Sequence, residues 1–126
     1  MRFIRELIIL ILIIVFVIVI DNITQNITEN SLEEISYKIA DVESNLSGEN
    51  NKNKIEELSE TWKHLETKLA FYMEHNELEE ISSKMTNAKI SIENDEISEA
   101  SLYIDEIKFR IEHIKNKQKM ELKNIF

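Results

Sequence analysis

The strongest constraint on this chain is an uninterrupted apolar run near its N-terminus. Leu7 to Ile20 are fourteen residues without a polar atom in any side chain, and Phe3 and Ile4 precede them. A helix of this length covers about 21 Å, whereas the hydrocarbon core of a bilayer is about 30 Å thick. A span over residues 3–23 is long enough, because Arg5 can extend its charge toward the headgroups. We therefore expect residues 1–23 to be a membrane anchor in contact with the lipid bilayer.

A cleaved secretory signal and a buried helix of a soluble fold are the alternatives to an anchor. A signal peptide ends in small residues, whereas this run ends in Val19, Ile20 and Asp21. A buried helix needs apolar neighbours on all sides, and only 37 of the 106 residues after Ile20 are apolar. These arguments favour an uncleaved anchor.

The charges that flank the run predict its orientation. Arg2 and Arg5 precede it, and Asp21 follows it. Positively charged flanks stay on the cytoplasmic side of a membrane. We therefore predict a single-pass protein of the cell membrane, with a cytoplasmic N-terminus and an extracytoplasmic C-terminal domain. The absence of Cys is consistent with export.

The rest of the chain carries four apolar stripes with helical spacing. Their members recur at intervals of three and four residues, which places them on one face of each helix. Residues 24–30 are predicted to be a polar tether or a continuation of the anchor helix, and Ser31 opens a capping-box pattern. The stripes are Leu32, Ile35, Ile39, Val42 and Leu46; Ile55, Leu58, Trp62, Leu65, Leu69 and Tyr72; Leu78, Ile81, Met85, Ala88 and Ile92; and Ile97, Ala100, Ile104, Ile107, Ile111 and Ile114.

These stripes predict an all-α fold in which an N-terminal transmembrane helix precedes a small antiparallel bundle of about four helices. The bundle spans residues 31–115 as two helical hairpins, and residues 116–126 form a basic and apolar tail. Short polar breaks at residues 47–53 and 93–96 make successive helices antiparallel neighbours. Stripes of no more than about three heptads favour a packed bundle over an extended coiled coil. The break near residues 75–77 lacks Gly and Pro, so one long helix over residues 54–92 is the alternative.

The composition excludes most familiar catalytic sites. A single Gly excludes a Gly-rich phosphate loop, and the absence of Cys excludes thiolate zinc sites and catalytic thiols. Ser and His are present, but no pattern predicts a nucleophile elbow or an oxyanion hole. We therefore expect no enzymatic activity, no catalytic residues and no cofactor.

His75 and Glu79 are the His–carboxylate pair with the spacing of metal ligands on a helix. Two ligands four residues apart lie on one face, which is a common arrangement in metal sites. Such pairs also arise by chance in a chain with 24 acidic residues. We favour a structural role for His75, capping or packing at its helix end. A metal or small-ligand sensor built on this pair is an alternative function.

The chain has several more large apolar residues than the four stripes need to form the core of a bundle. Residues 69–73 form a continuous apolar run, wider than a bundle face requires, and Phe109 lies between two stripe positions. Such residues either widen the core or form a docking surface. Phe71, Tyr72 and Phe109 are therefore candidates for contact with a partner, whereas Trp62 lies on its stripe and is predicted to be core. The narrow apolar faces also predict a marginally stable bundle, which favours association with a partner or a second copy.

Charge is distributed unevenly along the chain. Residues 29–107 carry a net charge of −13, whereas residues 108–126 carry +4. The acidic part repels nucleic acid and anionic headgroups, so we expect no nucleic acid partner. The basic end has three interpretations: it folds back onto the acidic part, it binds lipid with Met120, Leu122, Ile125 and Phe126, or it is a solvated helix end. Lipid binding by this tail is a second alternative function.

Five short motifs spread over nearly the whole chain carry a family resemblance. They are the apolar N-terminal segment, Trp62, the stretch His75 to Ile81, the run Glu106 to Phe109 leading into Glu112 to Ile114, and the ending Leu122 to Phe126. Together they resemble a family of short, single-span, membrane-anchored proteins from clostridia-like bacteria, described as a domain of unknown function. The acidic and aromatic start of the second helix that is usual there is replaced here by residues 50–54.

The resemblance implies a helical exported domain without an assigned activity. It also implies a partner in the membrane, such as a multi-span protein, and it points to His75, Glu77, Ile125 and Phe126 as interaction residues. We therefore expect a non-enzymatic interaction or accessory module for another envelope protein.

Overall fold

The computed structural model describes residues 1–71 and 73–125, with side chains as far as Met120. The described residues form four helices, α1 (Arg2–Ser44), α2 (Asn51–Leu69), α3 (His75–Glu93) and α4 (Ile97–Ile125). This confirms the predicted all-α fold. The chain divides into two compact units, Met1–Asn30 and Ser31–Phe126.

The first unit is the N-terminal part of α1, and its surface is apolar. An 18-residue window of this helix has a mean hydropathy of 3.2, and none of it is buried. Within the part of the chain that the structure describes, α1 is the one helix long and apolar enough to cross a membrane. Length and composition of this kind suit a membrane anchor or a signal sequence.

The core of the second unit is built from the predicted stripes. Every apolar residue that is buried in the described part of the chain belongs to one of the four stripes. Trp62 is 2% exposed, which confirms its prediction as a core residue. Ile97 is half-buried against the core, and Tyr72 lies outside the described residues.

Ion pairs between neighbouring helices show the order of the bundle. Each helix is paired with the one before it and the one after it, and α4 also pairs with α1. Between α1 and α2, α3 and α4, and α4 and α1, the partners' residue numbers run in opposite directions, so these contacts are antiparallel. Between α2 and α3, the Lys89–Glu56 pair and the Trp62–Ser82 hydrogen bond show the same direction. The pairs include Lys54–Asp41 at 3.0 Å and Lys38–Glu57 at 3.9 Å between α1 and α2; Lys89–Glu56 at 2.8 Å between α2 and α3; Lys84–Glu106 at 2.8 Å and Arg110–Glu80 between α3 and α4; and Lys108–Glu43 and Lys115–Glu33, both at 3.3 Å, between α4 and α1.

The helix boundaries decide between alternatives that the sequence alone left open. α2 ends at Leu69 and α3 begins at His75, so the alternative of one long helix over residues 54–92 is wrong. The capping box predicted at Ser31 is also wrong, because α1 passes through Ser31 and its backbone N–H groups bond within the helix. Residues 24–30 and 116–125 are helical, as continuations of α1 and α4.

The one polar atom of Trp62 is satisfied by a hydrogen-bond chain between α2 and α3. Trp62 Nε1 donates to Ser82 Oγ at 2.7 Å, and Ser82 Oγ donates to Glu66 Oε1 at 3.0 Å. A buried indole N–H without an acceptor is costly, so the position of Ser82 opposite Trp62 favours a single register of the two helices.

We expect Ser82→Ala to lower the free energy of unfolding by about 1–3 kcal/mol, because the Trp62 donor then lacks its acceptor. Urea unfolding of the full chain in detergent, followed by circular dichroism, measures the change. Thr86→Ala is the matched control, since the exposed Thr86 hydroxyl bonds only to the Ser82 carbonyl of its own helix. Equal losses in the two variants would contradict the role of Ser82.

The turn between α3 and α4 depends on a left-handed residue. Asp95 has a φ of 58° and is the one non-Gly residue with positive φ in the described part of the chain. Its N–H bonds to the Ile92 carbonyl at 3.1 Å, and the Glu96 N–H bonds to the Ser91 carbonyl at 2.8 Å. These two bonds form a Schellman motif, which satisfies the last carbonyls of α3 and reverses the chain.

We expect Asp95→Ala to lower the free energy of unfolding by about 1 kcal/mol, because Ala tolerates a left-handed backbone less well than Asp does. Asp95→Gly should be tolerated, since Gly adopts positive φ without steric cost. Thermal melts of both variants check this order. Gly48→Ala is the control. Gly48, the one Gly of the chain, does not have a positive φ, so an Ala there needs no left-handed backbone. The added Cβ would meet only the Asn45 carbonyl oxygen, at 3.4 Å.

Candidate functional site

The connection between α2 and α3 places several of the predicted site residues at one end of the bundle, here called the α2–α3 end (Phe71, His75, Glu77 and Glu79). Glu77 is half-buried, and its Oε1 lies 3.7 Å from Nζ of Lys117 in α4. Two residues before Lys117, Lys115 pairs with Glu33 of α1, near Ser31. Within the second unit, the α2–α3 end is therefore the end at which Ser31 lies.

His75 and Glu79 pair with each other at this end. His75 Nε2 lies 2.9 Å from Glu79 Oε1, and the two side chains are 78% and 62% exposed. His75 is the first residue of α3 and the preceding residue, Glu74, makes no capping bond with its side chain. His75 is therefore neither buried in the core nor the N-cap, which corrects the structural role favoured for it.

The part of the chain that the structure describes contains no cluster of three or more His, Cys, Asp or Glu residues placed to hold a metal ion. His75 and Glu79 are two side chains on the outside of one helix turn. Such a pair leaves most of the coordination sphere of a divalent cation to water. Among the described residues, the structure therefore supplies no third protein ligand for a metal ion beside His75 and Glu79.

The apolar run at the α2–α3 end divides between core and surface. Met73 is half-buried and packs against the core, so it widens the core. Phe71 is 82% exposed. Tyr72 lies outside the described residues. Within the described part of this segment, Met73 therefore widens the core, whereas Phe71 stays a candidate for contact with a partner.

A second apolar surface runs along α4, here called the outer face of α4 (Leu102, Phe109, His113 and Met120). The buried residues of α4 define the side of the helix that faces the core. Because successive residues are rotated by about 100° around the helix axis, the residues of the outer face lie on the opposite side. Leu102, Phe109 and Met120 are 64%, 74% and 66% exposed. Large apolar side chains in this position do not contribute to the core of the described bundle.

Phe109 lies between two shallow grooves beside α3. One has a volume of about 230 Å³ and the other about 360 Å³. Both are open to solvent and combine apolar walls with ion pairs. The first is lined by Glu77, Ile81, Phe109, Arg110, His113 and Ile114, and the second by Lys84, Leu102, Asp105, Glu106, Phe109 and Arg110.

The basic part of α4 folds onto the acidic helices. Four of its cations are paired with carboxylates of α1 and α3, which is the first of the three interpretations of this segment. The pairs are Lys108–Glu43, Arg110–Glu80, Lys115–Glu33 and Lys117–Glu77. Ile125 is the last residue of α4, but its side chain and the whole of Phe126 lie outside the described part.

Ion pairing shifts three pKa values on the bundle surface. A hydrogen bond to Asp41 raises the pKa of Lys54. A hydrogen bond between Lys89 and Glu56 raises the pKa of the lysine and lowers that of the carboxyl. A fourth shift has a different cause, because a hydrogen bond and repulsion from Glu99 raise the pKa of Glu96. The first three groups belong to ion pairs that join α2 to α1 and α3 to α2.

Leu102 was missed by the sequence analysis. Leu102 is not a member of the α4 stripe, and a single exposed Leu is common on protein surfaces, so its presence alone predicts nothing. Leu102 precedes Phe109 by seven residues, which places both side chains on one line along the helix. That spacing is the feature of the sequence that could have identified it.

The comparison with known families covers most of the chain. A family model described as a domain of unknown function (DUF4363) matches residues 20–125. The match begins at the last residue of the apolar run and includes the whole bundle. It confirms the part of the resemblance that concerns a domain of unknown function. No curated protein and no solved structure matches the chain significantly.

We expect Lys89→Gln to raise the pKa of Glu56 toward its ordinary value, because the hydrogen bond to Lys89 is the main cause that lowers it. A lowered carboxyl pKa contributes stability above the ordinary pKa, and this contribution is lost as pH falls through the lowered one. The variant should therefore lose less stability on acidification than the parent chain. NMR titration of the Glu56 carboxyl measures the shift, with Lys52→Gln as control; a pKa unchanged by Lys89→Gln would disprove the assignment.

Proposed function

This chain belongs to the family of that domain of unknown function, and we propose that it is a membrane-anchored, non-enzymatic interaction module for another envelope protein. The observation that carries the proposal is a contrast between the two units. The apolar window of the first unit is entirely exposed, whereas the second unit buries its own apolar stripes.

The exposed apolar run favours a lipid environment over water. An aliphatic side chain gains about 1.5–3 kcal/mol when it leaves water. For the fourteen apolar residues from Leu7 to Ile20, the gain is on the order of tens of kcal/mol. A run of this hydropathy is therefore stable in a bilayer, and its poor match to a cleavage site supports retention as an anchor.

The flanking charges support an extracytoplasmic bundle in a single-pass arrangement. Arg2 and Arg5 favour a cytoplasmic N-terminus, so residues 24–126 would lie outside the cell membrane.

The α2–α3 end suits contact with a membrane protein. The side chains of Phe71, His75 and Glu79 are all exposed at this end, and they offer an aromatic contact and polar groups. Exposed aromatic residues with a polar rim are typical of protein interfaces. We propose that a partner that itself sits in the membrane, such as a multi-span protein, binds this end of the bundle.

A role without catalysis agrees with the character of the surfaces. The grooves beside Phe109 are open, and the carboxylates around them are exposed or ion-paired with lysine and arginine. A catalytic pocket usually encloses its substrate. These two grooves are open to solvent and do not enclose one.

Crosslinking in intact cells tests the orientation and the partner together. The chain has no Cys, so Phe71→Cys provides a unique thiol for a photoreactive reagent that does not cross membranes. We expect labelling in intact cells, followed on illumination by an adduct with a different membrane protein. Lys52→Cys, at the other end of the bundle, is the matched control and should be labelled without giving that adduct.

Two results would overturn the proposal. Labelling of both variants only after the cells are broken open would place the bundle in the cytoplasm. Labelling without a partner adduct, or with the same adducts from both positions, would exclude the α2–α3 end as a specific interaction surface.

A further inference from the structure

We draw no further inference here: the strongest candidate, the exposed apolar surface patch of Leu102, Phe109 and Met120 on the outer face of α4, carries none, because nothing in the structure shows what covers it.

Discussion

Burial of four apolar stripes against one another is the interaction on which the second unit depends. A core side chain contributes about 1.5–3 kcal/mol when it leaves water, whereas an exposed ion pair contributes about 0–1 kcal/mol. The ion pairs between helices therefore add little to the stability of the bundle. They instead favour the observed order of the helices, because each of the four helix contacts joins an acidic to a basic residue.

The fold was largely predictable because its signal is periodic and local. Spacings of three and four residues identified the buried positions, since a helix that buries one face must place apolar residues at that period. The continuity of α1 through Ser31 was not predictable in the same way. A capping box forms only where backbone N–H groups lack helical partners, and the sequence does not show that the preceding turn is already helical.

The candidate site was less predictable, because exposure depends on what packs around a residue. Met73 and Phe71 belong to the same apolar run, yet one packs against the core and the other is exposed. His75 is predicted to cap or pack at its helix end, but it is the first residue of α3 and pairs with Glu79 on the surface. The decisive information is the place where α2 ends, and no Gly or Pro marks that place in the sequence.

The hydrogen-bonded Trp62 has a consequence for how this protein can be observed. It is the only Trp in the chain, and the apolar segment of the first unit contains none. Its indole is buried between α2 and α3 and bonds to Ser82. Tryptophan emission from the intact chain therefore reports on one helix contact of the bundle, without a signal from the apolar segment or the need to remove that segment.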